Sequence, residues 1–291
     1  MAGLIIREKF RGYIALTKPR IMVLLLITAV TGLLLGEQGV PSLRLVVVVL
    51  IGGAFASGGA SSINHYLDRD IDSKMTRTKN RPIPSKKISP IEALLFGVTL
   101  NVLGFLVLVY WANLLSGTLA ITGTLFYVFV YTMLLKRNTP QNIVFGGAAG
   151  AIPPLVGYAA VTGTVSISAI YLFFIIFFWT PPHFWSLALM LKDDYARAGI
   201  PMLPVVKGVD ETKRSIFAYA VFLVVLTLGF VWMEGMGWLY LVTSVVLGSA
   251  FVYYAWDLLR RGTERATKVM YLYSLAYLFL LFAGVMLDAL L

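Results

Sequence analysis

Three oxygen-bearing side chains, Asn64, Asp68 and Asp72, follow one another at intervals of four in "NHYLDRDID". On a helix each such step advances about 40° net, so the three share one face within about 80°. Asp70 falls on the opposite side. Carboxylate and amide oxygens are hard ligands of the kind Mg²⁺ takes, one or two at a time, alongside substrate phosphates. "TRTKNRP" follows and supplies Arg77, Lys79 and Arg81 for phosphate oxygens. The bland alternative is a solvated charge cluster at a helix end. A second acidic stretch, "LKDDYARAGIPMLP", carries Asp193 and Asp194. Two such stretches facing each other would hold Mg²⁺ and a diphosphate between them.

The elements that must position these residues are membrane spans. The chain has 291 residues, of which 59% are hydrophobic and 13% charged, and its mean hydropathy is +0.83. Soluble domains carry about 25% charged residues, so the composition indicates a polytopic membrane protein. A span needs about 20 apolar residues. Nine are read, at roughly 20–36, 43–64, 91–111, 114–135, 141–162, 167–190, 214–233, 236–260 and 268–289. The first reads as a retained helix, since no small-residue cleavage site follows it. The fold class expected is therefore an all-α membrane bundle of nine transmembrane helices, forming a single domain over residues 1–291.

Nine spans place 23 of the 24 Lys and Arg residues on one side, with Arg44 alone on the other. The positive-inside rule then puts the N-terminus in the cytoplasm and the C-terminus outside. Eight or ten spans would scatter these charges. The net charge of +10 thus follows membrane orientation, and nucleic acid is not an expected partner. Both acidic stretches lie on the basic side, after the second and sixth spans. An ionisable group at that boundary, facing the bundle interior, marks a functional path. Absence of cysteine excludes disulfides, thiolate metal sites and a cysteine nucleophile. Two histidines, His65 and His183, are too few for a multi-histidine metal centre.

"NHYLDRDID" resembles the N-x-x-x-D-x-x-x-D signature of UbiA-type intramembrane prenyltransferases. "LTKPRI", "PQNIVFGGAAGAIPPLVGYAA", "WTPPHFWSLAL" and "DDYARAGIPMLPV" are similar to the protoheme IX farnesyltransferase (haem O synthase) branch. The resemblance implies transfer of farnesyl from farnesyl diphosphate to a vinyl group of haem B, with addition of water, giving haem O and diphosphate. It implies Mg²⁺ on Asn64, Asp68, Asp72 and Asp194, with Asp68, Asp72 and Asp194 catalytic. Diphosphate donors would come from Lys18, Arg77, Lys79, Arg81, Lys136, Arg137 and Lys192. It also implies a multi-pass cell-membrane location, an active site towards the cytoplasm, and a downstream haem-modifying enzyme as partner. One departure stands out: Asp194 is followed at the fourth position by Ala198, and Asp193 by Arg197, so a second full D-x-x-x-D is missing.

Four further residues are candidate contacts to haem or prenyl chain: His183, His65, Tyr131 and Asn142. His183 in "TPPHFW" is either a polar packing residue at a proline kink or a haem-facing group. His65 lies at the diphosphate site, acts as a base, or faces headgroups; for Tyr131 and Asn142 the alternatives are helix-cap and interface roles. "GGAFASGG" and "FGGAAGAIPP" read first as small-residue packing surfaces, with room for a flat macrocycle as a second reading. Two other functions compete: a prenyltransferase acting on an aromatic quinone precursor, and a membrane transporter. "WTPPHFW" speaks against the first. Recurrence of the acidic stretches after four spans in the same orientation speaks against the second.

Overall fold

In a computed structural model describing residues 2–37 and 39–291, the chain is all-helical, with no strand among the described residues. A basic helix α1 (Ala2–Thr17) leads into α2 (Pro19–Glu37), α3 (Leu43–Leu67), a one-and-a-half-turn α4 (Arg69–Lys74) and α5 (Pro90–Trp111). Next come α6 (Leu114–Leu125), which continues as a π-helix over Phe126–Leu135, then α7 (Asn142–Ala151), α8 (Pro153–Thr162) and α9 (Ile167–Met190). Two short helices, α10 (Lys192–Arg197) and α11 (Leu203–Val206), precede α12 (Gly208–Glu234), α13 (Trp238–Arg261) and α14 (Glu264–Asp288). Among the described residues nine helical segments are long and apolar enough to cross a membrane, as the hydropathy reading expects. Their outer faces carry exposed apolar side chains such as Leu103, Val225 and Phe279, a surface that suits lipid and not water.

Helix starts follow local chemistry. Ser89 and Glu92 form a reciprocal capping box at α5, with Pro90 in the first turn where its missing N–H costs nothing. Ser42, Asn113, Ser166 and Thr263 cap α3, α6, α9 and α14. Gly163, Gly235 and Gly262 close α8, α12 and α13 in the left-handed conformation.

Several features depart from the linear reading. The chain before the first span is helical, and α12 and α14 begin at Gly208 and Glu264, earlier than residues 214 and 268. The fifth span is two helices meeting at Ile152, because Pro153 and Pro154 cannot donate to the preceding turn. Pro181 and Pro182, by contrast, sit inside an uninterrupted α9. Their neighbours Thr180 and Ser186 donate to the carbonyls of Ile176 and Pro182, at 2.8 and 2.7 Å.

Small residues let helices touch backbone to backbone. A Cβ on Gly157 of α8 would lie 1.8 Å from the carbonyl oxygen of Ala29 in α2, and one on Gly59 of α3 would lie 2.6 Å from that of Gly97 in α5. The packing reading of "GGAFASGG" holds at Gly59. These close pairs draw α2 to α8 and α3 to α5, and so fix where α3 ends relative to the other spans.

Candidate active site

The acidic ladder straddles a break in the helix. α3 ends at Leu67, and Asp68 departs from helical geometry (φ −90°, ψ 6°) before α4 begins. Four-residue hydrogen bonds nevertheless cross the break. Asp68 N donates to Asn64 O at 2.9 Å, and Asp72 N donates to Asp68 O at 2.8 Å. The spacing therefore survives, and Asn64, Asp68 and Asp72 are all buried, at 3%, 0% and 2% exposure. Asp70 points away, as its position in the ladder requires. Arg137 grips it bidentately at 2.8 and 2.9 Å and also donates to Leu67 O at 2.9 Å.

Buried carboxylates need compensating charge. Lys136 pairs with Asp68, and Arg137 stands 3.9 Å from the other Asp68 oxygen. Arg81 donates to both Asp72 oxygens, at 2.8 and 2.9 Å. Lys18 donates to Asn64 Oδ1 at 3.1 Å. Its backbone is left-handed (φ 51°) at the joint between α1 and α2, a conformation that costs a non-glycine residue about 1–3 kcal/mol. Loss of solvation, reinforced by the charges of Arg81 and Lys136, pushes the Lys18 ammonium down to about 7. An arriving anion would relieve that crowding.

The second acidic stretch meets the first. Asp194, on α10, is 7% exposed; it accepts from the backbone N–H of Arg77 at 3.3 Å and pairs with Arg197. Arg197 also donates to Thr76 at 3.2 Å. Burial opposes ionisation of Asp194, but Thr76, the Arg77 backbone and Arg197 outweigh it and hold the carboxyl below its usual range. Asp193 is exposed. Arg197, the residue that departs from a second D-x-x-x-D, thus serves as a clamp between the two connections. Arg77 and Lys79 are exposed, and Lys192 is half-buried at the start of α10.

A cavity of 290 Å³ opens beside the ladder, lined by Lys18, His65, Arg77, Asn80 and Arg81 with Ala15 and Pro82. His65 is 2% exposed, neither ring nitrogen has a hydrogen-bond partner among the described residues, and Nδ1 lies 4.0 Å from Asp72. Asn142 is fully buried; its Nδ2 donates to Thr139 O at 2.6 Å, while Oδ1 is unpartnered among the described residues. Tyr131 stacks on Tyr127, with ring centres 5.4 Å apart. His183 is set apart from this group. It is sandwiched between Trp179 at 4.4 Å and Tyr271 at 5.0 Å, with Nδ1 2.7 Å from Ser274 Oγ. That is the environment of a packed polar residue tying α9 to α14.

The donor set suits a hard divalent cation. Asp68 Oδ1 is buried and lacks a hydrogen-bond partner, and the Asn64 amide oxygen, on the same ladder, is met by Lys18 alone among the described residues. Among the described residues no three acidic or histidine side chains converge into a ready-made cage. Mg²⁺ bound by few protein carboxylates, with the rest of its shell from phosphate and water, has that requirement. Thr76, Tyr127 and Thr132 are neighbours of the site that the linear reading passes over. Nothing in their types or spacing separates them from ordinary helix residues.

The family profile described as UbiA prenyltransferase matches residues 25–284. The protoheme IX farnesyltransferase of Symbiobacterium thermophilum is 51% identical over 283 residues, covering 96% of this chain and 94% of that protein. That of Roseiflexus sp. is 48% identical over 278 residues, 96% of this chain but 52% of its relative, so the chain spans about half the length of some proteins it matches. Among solved structures, a digeranylgeranylglyceryl phosphate synthase superposes with a TM-score of 0.79 at 19% identity, over 97% of this chain and 99% of that one. A UbiA homologue from Archaeoglobus fulgidus bound to GPP and Mg²⁺ gives 0.62 at 17% identity, over 94% and 99%. These two likenesses show a shared fold, and the profile together with the Symbiobacterium relative shows that the chain belongs to the UbiA prenyltransferase family.

Proposed function

We propose that this chain transfers the farnesyl group of farnesyl diphosphate to a vinyl group of haem B, with addition of water, releasing haem O and diphosphate. The observation that carries this reading is the meeting of two acidic connections, Asn64–Asp68–Asp72 and Asp194, at a basic cavity. The chain that does this is 51% identical to a protoheme IX farnesyltransferase. Mg²⁺, when bound, supplies charge neutralisation for the leaving diphosphate. Asn64, Asp68, Asp72 and Asp194 would hold it. The Mg²⁺ of the Archaeoglobus neighbour supports such a site in this fold.

The chain's own residues do the rest. Lys18, Arg77 and Arg81 line the cavity and receive the diphosphate oxygens. Lys136 and Arg137 hold the ladder's charge in balance from the other side. As the farnesyl C1–O bond breaks, the electron pair leaves with diphosphate. The vinyl π electrons then form the new C–C bond, and water closes the resulting cation, losing a proton. Tyr127 and Tyr131 offer aromatic faces to the allylic cation, and the apolar bundle excludes stray water until the acceptor is in place. The site faces the cytoplasm in this reading, on the strength of the 23-to-1 partition of basic residues.

The test is direct. Purified protein incubated with haem B, farnesyl diphosphate and Mg²⁺ should yield haem carrying both farnesyl and hydroxyl by mass analysis, and none with a chelator present. Prenylation of an aromatic quinone precursor in place of haem would overturn the acceptor assignment. No transfer to either would overturn the enzyme assignment.

A further inference from the structure

Whether Asn64 can help hold a cation depends on which end of its amide faces the site. Three groups touch that amide. Asp68 Oδ2, 2.7 Å from Nδ2, belongs to a carboxylate paired with Lys136 and can only accept. Lys18 Nζ, 3.1 Å from Oδ1, donates. Thr132 Oγ1, 3.2 Å from Nδ2, has a hydroxyl that is free in principle to do either. Its hydrogen is already committed to Tyr127 O at 2.8 Å, so toward Asn64 it accepts. Both N–H groups of the amide are thereby used, on Asp68 and Thr132. Oδ1 is turned outward, with one lone pair on Lys18 and one to spare.

Thr132 reaches this position because of its helix type. It lies in the π-helical stretch Phe126–Leu135, whose bonds step five residues, as Lys136 N to Tyr131 O at 2.8 Å shows. The Thr132 hydroxyl spans the same five-residue interval to Tyr127. In an α-helix a threonine hydroxyl returns to the carbonyl three or four residues back, and each residue of register turns later side chains by about 100°. Loss of the π register would move both Thr132 and Lys136 off the ladder. Single π turns inside α-helices recur at functional sites.

We infer that Thr132 is a positioning residue of the cation site, fixing Asn64 with its oxygen outward, and that the π-helical stretch exists to deliver it there. This rests on the reading that Asn64 and Asp68 hold the Mg²⁺ accompanying a prenyl diphosphate. Thr132→Val keeps the volume and removes the hydroxyl, Thr132→Ala removes it without adding a contact, and Thr132→Ser keeps it. The measurement is calorimetric binding of farnesyl thiolodiphosphate, which is not turned over, across a Mg²⁺ series, with unfolding midpoints recorded in parallel. Residues that orient metal ligands typically shift metal affinity about 10–100-fold. Thr132→Val and Thr132→Ala should raise the Mg²⁺ concentration for half-maximal binding by that factor, and Thr132→Ser should restore it. In an Asn64→Ala background, Thr132→Val should add no further shift. A Mg²⁺ requirement left at the wild-type value, or a shift persisting in full without Asn64, would overturn the inference. Failure of the underlying reading looks different: the wild-type chain would bind the analogue with no dependence on Mg²⁺.

Discussion

Under the proposed function each carboxylate of the ladder carries two jobs, because burial makes it structural as well as chemical. Asp68 is fully buried against a Lys136 side chain that is itself 15% exposed, whereas the Arg81 partner of Asp72 is 21% exposed. Asp68→Asn and Asp72→Asn should each lower turnover by about 10²–10³ or more, the usual cost of losing a key electrostatic contact. Asp68→Asn should also destabilise the fold by about 3 kcal/mol or more, since it strands a largely enclosed ammonium; Asp72→Asn should cost less because Arg81 can turn to water. Turnover assays beside thermal unfolding in detergent check both halves, and equal stability of the two variants would refute the second. His183→Ala should cost about 1–3 kcal/mol through its lost hydrogen bond to Ser274 and its lost ring stacking. An unchanged unfolding midpoint would deny it the packing role its surroundings describe.

At the scale of elements, helix contact is governed by which glycines have neighbours. Gly157 has the Ala29 carbonyl where a methyl would go, so Gly157→Ala must push α8 from α2. The expected loss is about 1–3 kcal/mol, in the range for overpacking. Gly150, in the middle of "FGGAAGAIPP", has nothing within 4 Å of an added Cβ. Gly150→Ala should therefore be neutral or stabilising by up to about 1 kcal/mol, from its better helix propensity. Unfolding midpoints of the two variants measured together test this, and the reverse order would refute the backbone contact between α2 and α8.

For the whole molecule the testable property is orientation. Reporter fusions after residues 80 and 205 should read cytoplasmic, and a fusion at the C-terminus should read external. Nine spans with 23 of 24 basic residues on one side motivate this. A cytoplasmic C-terminus beside a cytoplasmic reading at residue 205 would mean that three crossings after that residue is the wrong number, and opposite readings at residues 80 and 205 would separate the two acidic connections that meet at Asp194 and Arg77. Under the proposed function the arrangement would also explain why the chemistry is placed at a boundary. Diphosphate and its counter-charges need water and lysines, while the allylic cation needs their absence a short way down the same bundle.

Features that depend on local order along the chain were legible in the residues alone. Twenty apolar residues make a span whatever they pack against, so nine were countable. Steps of four put Asn64, Asp68 and Asp72 on one face and Asp70 off it, and the helix break at Asp68 did not alter this because the hydrogen bonds across it kept their spacing. Pairing across large separations, by contrast, came from the packed bundle. Asp68 could have met any of several basic residues; it meets Lys136, which directly follows a π-helical stretch that residue types do not reveal. Arg197 read as a gap in a motif until it proved to join Asp194 to Thr76. His183 read as one of two scarce histidines near a proline pair, and its setting between Trp179 and Tyr271 depends on α14, some ninety residues further along. Such pairings are set by the packing of distant helices, and a one-dimensional pattern carries no term for that.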